Sequence, residues 1–272
     1  MSTPSNVSKP AQERVDEILE SLAEIRSRVQ AAASSSPSGG SGPTLVAVSK
    51  YKPSGDILVC HENGQFDFGE NYVQELVDKA QELPQDIRWH FIGTLQSNKS
   101  KILASIPNLY AIETLTSTKA ATALNKALTD DRTSQLNVFL QVNTSGEDSK
   151  SGVPPLTGSS TNDSELVKLA HHVSTACPRL RLQGLMTIGS IDQSLSDSDN
   201  KDFETLKVTR DALQGLLGAD ASVEKNSWGE DGRLLLSMGM SSDFEAALKA
   251  GANVVRVGTG IFGTRHKKGE GN

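Results

Sequence analysis

Only two cysteines occur in the 272 residues, Cys60 and Cys177, and they form neither a Cys-x-x-Cys pair nor a metal-ligand spacing. This argues against a disulfide framework and a zinc site, and a reduced, cytoplasmic protein is expected. No apolar run approaches the roughly 20 residues needed to cross a bilayer. The N-terminus carries no apolar signal-peptide core, and its first helical stretch is too rich in Glu and Asp for a mitochondrial transit peptide. Positive charge is not in excess either. There are 27 basic against 33 acidic residues and a net charge of −6, which argues against general nucleic-acid or anionic-membrane binding and leaves room for a local basic pocket. The sequence has no GxxxxGK[ST] loop, no GxSxG elbow and no His/Asp/Glu set at metal spacing. Gly258-Thr259-Gly260-Ile261-Phe262-Gly263 matches GxGxxG in letters only. The dinucleotide unit needs a helix, a further strand and an acid about 20 residues on, and only residues 264–272 follow.

What is present is alternation. Apolar positions Val15, Ile18, Leu19, Leu22, Ile25 and Val29 predict an amphipathic helix from Ala11 to about Ala33. Residues 34–43 (SSSPSGGSGP from Ser34) read as a flexible linker. Strands are then expected at Thr44–Lys50, Gln65–Gly69, Arg88–Gly93, Leu109–Ile112, Asn137–Val142, Leu180–Ile188, Arg233–Ser237 and Asn253–Val257. Helices are expected between them, from Pro53 to Gly64, Asn71–Leu83, Gln96–Ser105, Thr116–Leu128, Ser164–Ala176, Asn200–Leu217 and Ser241–Ala250. Eight short apolar strands alternating with helices over ~250 residues predict an α/β fold, a single (β/α)8 TIM barrel with an extra N-terminal helix. A doubly wound open sheet is the competitor. The domain reading is a disordered N-terminus at 1–9, a barrel over 10–265 and a disordered tail at 266–272.

The apolar run Thr44-Leu45-Val46-Ala47-Val48 leads through Ser49 into Lys50. A lysine at the C-terminal mouth of a barrel strand stands where such folds place their chemistry, and burial eases its deprotonation to a nucleophilic amine. The plainer reading is a surface lysine ending a strand. The seventh and eighth strand ends, Ser237-Met238-Gly239-Met240-Ser241 and Arg256-Val257-Gly258-Thr259-Gly260, offer small residues and hydroxyls suited to a phosphate; alternatively, the glycines merely cap strands. Arg256 interrupts an apolar strand and therefore requires an internal acid or a ligand acceptor. His90 alternates with apolar neighbours and reads equally as a satisfied core histidine. His61, His171, His172 and His266 read as surface residues, and Lys99 and Lys101 as a solvated helix face or a weak anion site.

Six motifs in order, Val46-Ala47-Val48-Ser49-Lys50, Phe68-Gly69-Glu70-Asn71-Tyr72, Trp89 to Lys99 (WHFIGTLQSNK), Gly184-Leu185-Met186-Thr187-Ile188, Leu236 to Ser241 (LSMGMS) and Val255 to Gly263 (VRVGTGIFG), resemble the pyridoxal phosphate homeostasis (YggS/PROSC) family, over about residues 10–265. That family is similar to the N-terminal barrel of alanine racemase, the fold type III of enzymes using pyridoxal 5′-phosphate (PLP). The resemblance implies that Lys50 forms a Schiff base with PLP and that Ser241, Gly258 and Thr259 hold its phosphate. It further implies that Arg256 faces the pyridine nitrogen and that Asn71 and Met186 lie near the ring. An arginine there keeps the ring nitrogen unprotonated and weakens the cofactor as an electron sink. Racemases also carry an all-β domain and take a catalytic tyrosine from a partner subunit, for which the residues after Gly263 leave no room. The resemblance therefore implies a PLP carrier that buffers and delivers the cofactor, with PLP-dependent apo-enzymes as partners and a monomer as the expected state. The alternatives are a weak racemase-like PLP enzyme and a cofactor-free Schiff-base aldolase barrel. Relative to shorter bacterial members, this chain carries the 34–43 linker and enlarged loops at 151–164 and 218–232.

Overall fold

The computed structural model describes residues 7–34, 42–156, 158, 163–190, 200–224 and 227–264. Eight strands, β1 (Thr44–Val48), β2 (Asp67–Glu70), β3 (Arg88–Phe91), β4 (Leu109–Leu115), β5 (Leu136–Gln141), β6 (Leu180–Met186), β7 (Leu235–Ser237) and β8 (Val254–Val257), pair in parallel in chain order. β8 returns to β1 with Val46 opposite Arg256 and Ala47 opposite Val257, closing the barrel. Around it run α1 (Gln12–Ser34), α2 (Ser54–Glu62), α3 (Val73–Glu82), α4 (Ser100–Ala104), α5 (Thr118–Ala127), α6 (Glu165–Ala176), α7 (Lys201–Ala219), α8 (Phe244–Lys249) and α9 (Thr259–Phe262). The α/β barrel expected from the alternation is the fold observed.

The period-two alternation of each strand sorts its side chains into two layers. Leu45, Ala47, Phe68, Trp89, Phe91, Val138, Leu140, Leu236, Val255 and Val257 face the helices and form the main core with them. Val46, Ala111, Phe139, Met186 and Val254 form a separate small cluster inside the barrel, with Leu235 against it. The alternation also places Asp67, His90, Glu113, Ser237 and Arg256 on the inner face, and all five are buried.

The N-terminal helix is part of the ring. α1 buries Ile18, Leu22, Ile25 and Val29, and it packs against α2, α8 and α9. It thus fills the outer position between the last strand and the first, which the four-residue α9 is too short to cover. A Cβ on Gly260 would come within 3.0 Å of Ile25, so α9 meets α1 closely. Residues 7–9 carry contacts too: Val7 packs on the core and Lys9 pairs with Glu62 at 2.5 Å.

The boundaries differ from expectation at informative places. β4 continues past Ile112 through Glu113 and Thr114 to Leu115, with a register shift against β5 between Ile112 and Leu115. The helix expected at Gln96–Ser105 splits into a 3-10 turn (Ser97–Lys99) and α4. The one expected from Ser241 begins at Phe244, because residues 241–243 form a turn in which Asp243 Oδ1 accepts the Met240 N–H at 2.6 Å. Residues 1–6, 35–41 and 266–272 lie outside the described residues, as do parts of the 151–164 and 218–232 loops.

Candidate functional site

Parallel pairing brings all eight strand C-termini to one mouth, so Lys50 after β1, Asn71 after β2, Met186 ending β6, Ser241 after β7 and Gly258–Thr259 after β8 share one end of the barrel with Arg256. The sequence expectation placed Lys50 at the end of a strand; β1 stops two residues earlier, and Lys50 sits in a tight turn. The Lys52 N–H donates to Ser49 O at 2.9 Å, which closes that turn. Tyr51, in its third position, has φ +63°. A tyrosine in the left-handed region is strained, and such strain persists only where the surroundings impose it. Here they do. The Tyr51 N–H donates to Glu75 Oε1 at 2.7 Å, and its ring packs on Tyr72 at 4.9 Å between centroids.

Ser49, immediately before Lys50, is anchored from three sides. Its N–H donates to Gly69 O at 3.0 Å, its hydroxyl donates to Glu70 Oε1 at 2.6 Å, and its carbonyl accepts from Lys79 Nζ at 2.8 Å. Lys79 also bonds Glu70 Oε1 at 2.6 Å and Glu75 Oε1 at 2.7 Å. Burial pushes the Glu70 carboxyl above the ordinary carboxylate value, while Lys79 and Ser49 oppose that rise. Lys50, itself half-buried, therefore stands on a rigid base.

The turns after β7 and β8 are joined. The Gly258 N–H donates to Ser241 Oγ at 3.1 Å, leaving that hydroxyl's own proton available to an anion. Gly258 also borders β1, since a Cβ there would lie 3.3 Å from Val48 O. Thr259 opens α9, and N–H groups in a first helical turn lie outside the intrahelical ladder. Gly239 holds the β7 turn with φ +92°, and a Cβ on it would come within 2.5 Å of Ala247.

Arg256 reaches from β8 across the barrel. Nη1 donates to Ser237 Oγ at 2.6 Å and Nη2 to Thr187 O at 2.8 Å, and Glu113 Oε2 lies 3.7 Å from Nη1. Burial lowers the Arg256 pKa, while the charges of Glu113 and Asp243 oppose that. The internal acid required by the sequence is Glu113, which sequence reasoning missed; a charged residue inside the strand Leu109–Leu115 was the signal. His90 resolves to a satisfied core histidine, with Nδ1 2.8 Å from Glu113 Oε1 and Nε2 3.1 Å from Asp67 Oδ1. Met186 is fully buried in the inner cluster. Asn71 Oδ1 is buried with no hydrogen-bond partner, the kind of orphaned acceptor that marks a ligand position. Lys99 and Lys101 are exposed, and His172 bonds Thr122 at 2.8 Å outside the barrel.

The alanine racemase N-terminal domain family matches residues 21–266. Among curated relatives, the pyridoxal phosphate homeostasis protein of Schizosaccharomyces pombe is 44% identical, covering 89% of this chain and 90% of its own. That of Homo sapiens is 41% identical, covering 82% and 77%. Among solved structures, PipY of Synechococcus elongatus PCC7942, with PLP bound, is 28% identical with a TM-score of 0.66 and covers 90% of this chain and 100% of its own.

Proposed function

The chain belongs to the pyridoxal phosphate homeostasis proteins, within the alanine racemase N-terminal domain family, and on that premise we propose that it binds PLP at the C-terminal mouth of its barrel. Its work is to buffer and deliver the cofactor inside the cell, with no efficient catalysis of its own. The observation that carries this reading is the meeting at one mouth of a lysine in a strained, anchored turn and a hydrogen-bonded pair of anion-accepting turns. The bound PLP of PipY and the names of the homeostasis proteins support it.

The donor set fits the chemistry of PLP. The Ser241 hydroxyl and the Thr259 N–H suit a phosphate, with Gly258 holding Ser241 in place and keeping the approach clear. Lys50 is the amine placed to condense with the aldehyde. When bound, PLP supplies an aldehyde and an electron-withdrawing ring. Arg256 would face the ring nitrogen of a bound PLP, where a fixed cation disfavours protonation of that nitrogen. Asn71 Oδ1 and Met186 would lie beside the ring of a bound PLP. The partners in this reading are PLP and, as recipients, apo-enzymes that use it; the carrier works as a monomer in the cytoplasm. PLP titrated into the purified protein should produce a protein-bound chromophore at stoichiometric loading, with amino-acid racemisation no faster than with free PLP. Failure to take up PLP would contradict the binding reading.

The match to the racemase domain favours a second reading, a weak racemase-like PLP enzyme. Turnover of a D- or L-amino acid well above the rate with free PLP, lost in Lys50→Ala, would establish it over the carrier.

A further inference from the structure

Five charged side chains alternate in sign through the barrel: Arg88, Asp67, His90, Glu113 and Arg256. Arg88 grips Asp67, with Nε 2.8 Å from Oδ1. Asp67 holds His90, which holds Glu113. Glu113 then meets Arg256 through one hydroxyl, since Ser237 Oγ donates to Glu113 Oε2 at 2.6 Å and accepts from Arg256 Nη1 at 2.6 Å. Ser237 has a single proton. Committing it to Glu113 presents the oxygen lone pairs to Arg256 and fixes which way the guanidinium lies. Both Glu113 oxygens are engaged, one by His90 and one by Ser237. Both His90 nitrogens face carboxylates, so the ring is held as the imidazolium: burial would lower its pKa, but the bonds and charges of Asp67 and Glu113 raise it to about 9.

The row contains three cations and two anions, and Arg256 is its end at the mouth. We propose that Glu113 is a positioning residue for Arg256: acting through the hydroxyl of Ser237, it fixes the direction of the guanidinium toward a bound PLP ring, with His90 and Asp67 as the buttress that holds Glu113 in place. This rests on the PLP reading above. A role confined to stability would tie β2, β3, β4, β7 and β8 together and leave the ring's surroundings unchanged. A positioning role changes the field at the ring even in a variant that folds.

The test compares absorption spectra of the PLP-loaded wild type, Glu113→Gln, Ser237→Ala and a control, Asp56→Asn. Asp56 is a buried carboxylate bonded to Arg14, between α1 and α2 rather than inside the barrel. Glu113→Gln and Ser237→Ala should still take up PLP, because Lys50 and the Ser241–Gly258 pair are untouched. Their cofactor band should be displaced in the same direction, while Asp56→Asn lowers the melting temperature and leaves the band where it is. Spectra of both barrel variants that superimpose on the wild type would overturn the proposal with PLP binding intact. If Glu113→Gln does not fold, Ser237→Ala, which removes one oxygen, decides the matter by the same reading. A wild type that takes up no PLP overturns the underlying function instead.

Discussion

The hydroxyl of Ser241 accepts the backbone N–H of Gly258 at 3.1 Å, so the turns that follow β7 and β8 form one unit at the barrel mouth. Its removal in Ser241→Ala takes away a phosphate donor and the link between the turns. Hydrogen bonds to charged groups contribute about 1.5–3 kcal/mol, which corresponds to PLP binding weaker by at least roughly tenfold. A spectrophotometric PLP titration reads this directly, and a dissociation constant equal to the wild type's would remove Ser241 from the site.

Gly239→Ala should destabilise the protein through two effects at one position. The residue has φ +92°, where a Cβ is strained, and that Cβ would press on Ala247 at 2.5 Å and on the Phe244 backbone at 3.0 Å. The expected loss exceeds about 1 kcal/mol, a fall in melting temperature of at least roughly 2–4 °C for a chain of this size. Because Gly239 also precedes Ser241, PLP affinity should decline in the same variant.

His90 gives stability a pH dependence of known sign. Its folded pKa is raised from 6.5 to about 9, so its stabilising contribution is fully present below about pH 6.5 and is lost as pH rises through about 9. The difference in melting temperature between the wild type and His90→Gln should therefore narrow between about pH 6 and pH 10. A constant difference over that range would mean that His90 is not held as the cation.

Ile18→Ala tests whether α1 is a structural wall of the barrel. Ile18 is fully buried where α1 meets the ring, and large-to-small changes at such sites cost about 2–5 kcal/mol. Denaturant unfolding should show a loss of that size in one cooperative transition. A loss well below about 1 kcal/mol would make α1 an appendage.

Much of this was legible in the sequence because strand and helix periods announce themselves. A continuous apolar run such as Leu45–Val48 is what a strand buried on both faces requires. Arg256 stood out because it breaks such a run, and its need for a partner followed from the cost of burying a charge. Glu113 was missed although it breaks its own strand in the same way, since the polar pair Glu113–Thr114 looked like that strand's end. The turn under Lys50 was not legible, because a tyrosine at positive φ has no sequence signature; Glu75 and Tyr72 hold it from elsewhere in the chain. Nor was the Ser241–Gly258 bond, which exists only once β7 and β8 lie side by side.

The central claim is that Lys50 is the residue through which this barrel holds PLP. Its most direct test is to load the purified protein with PLP, reduce it with borohydride and map the labelled peptide. The account predicts a yellow protein whose label falls on Lys50, and a Lys50→Ala variant that retains measurable PLP binding through the Ser241–Gly258 turns but fixes no label. A colourless protein that takes up no PLP, or a label fixed on a different lysine in the wild type, would contradict it.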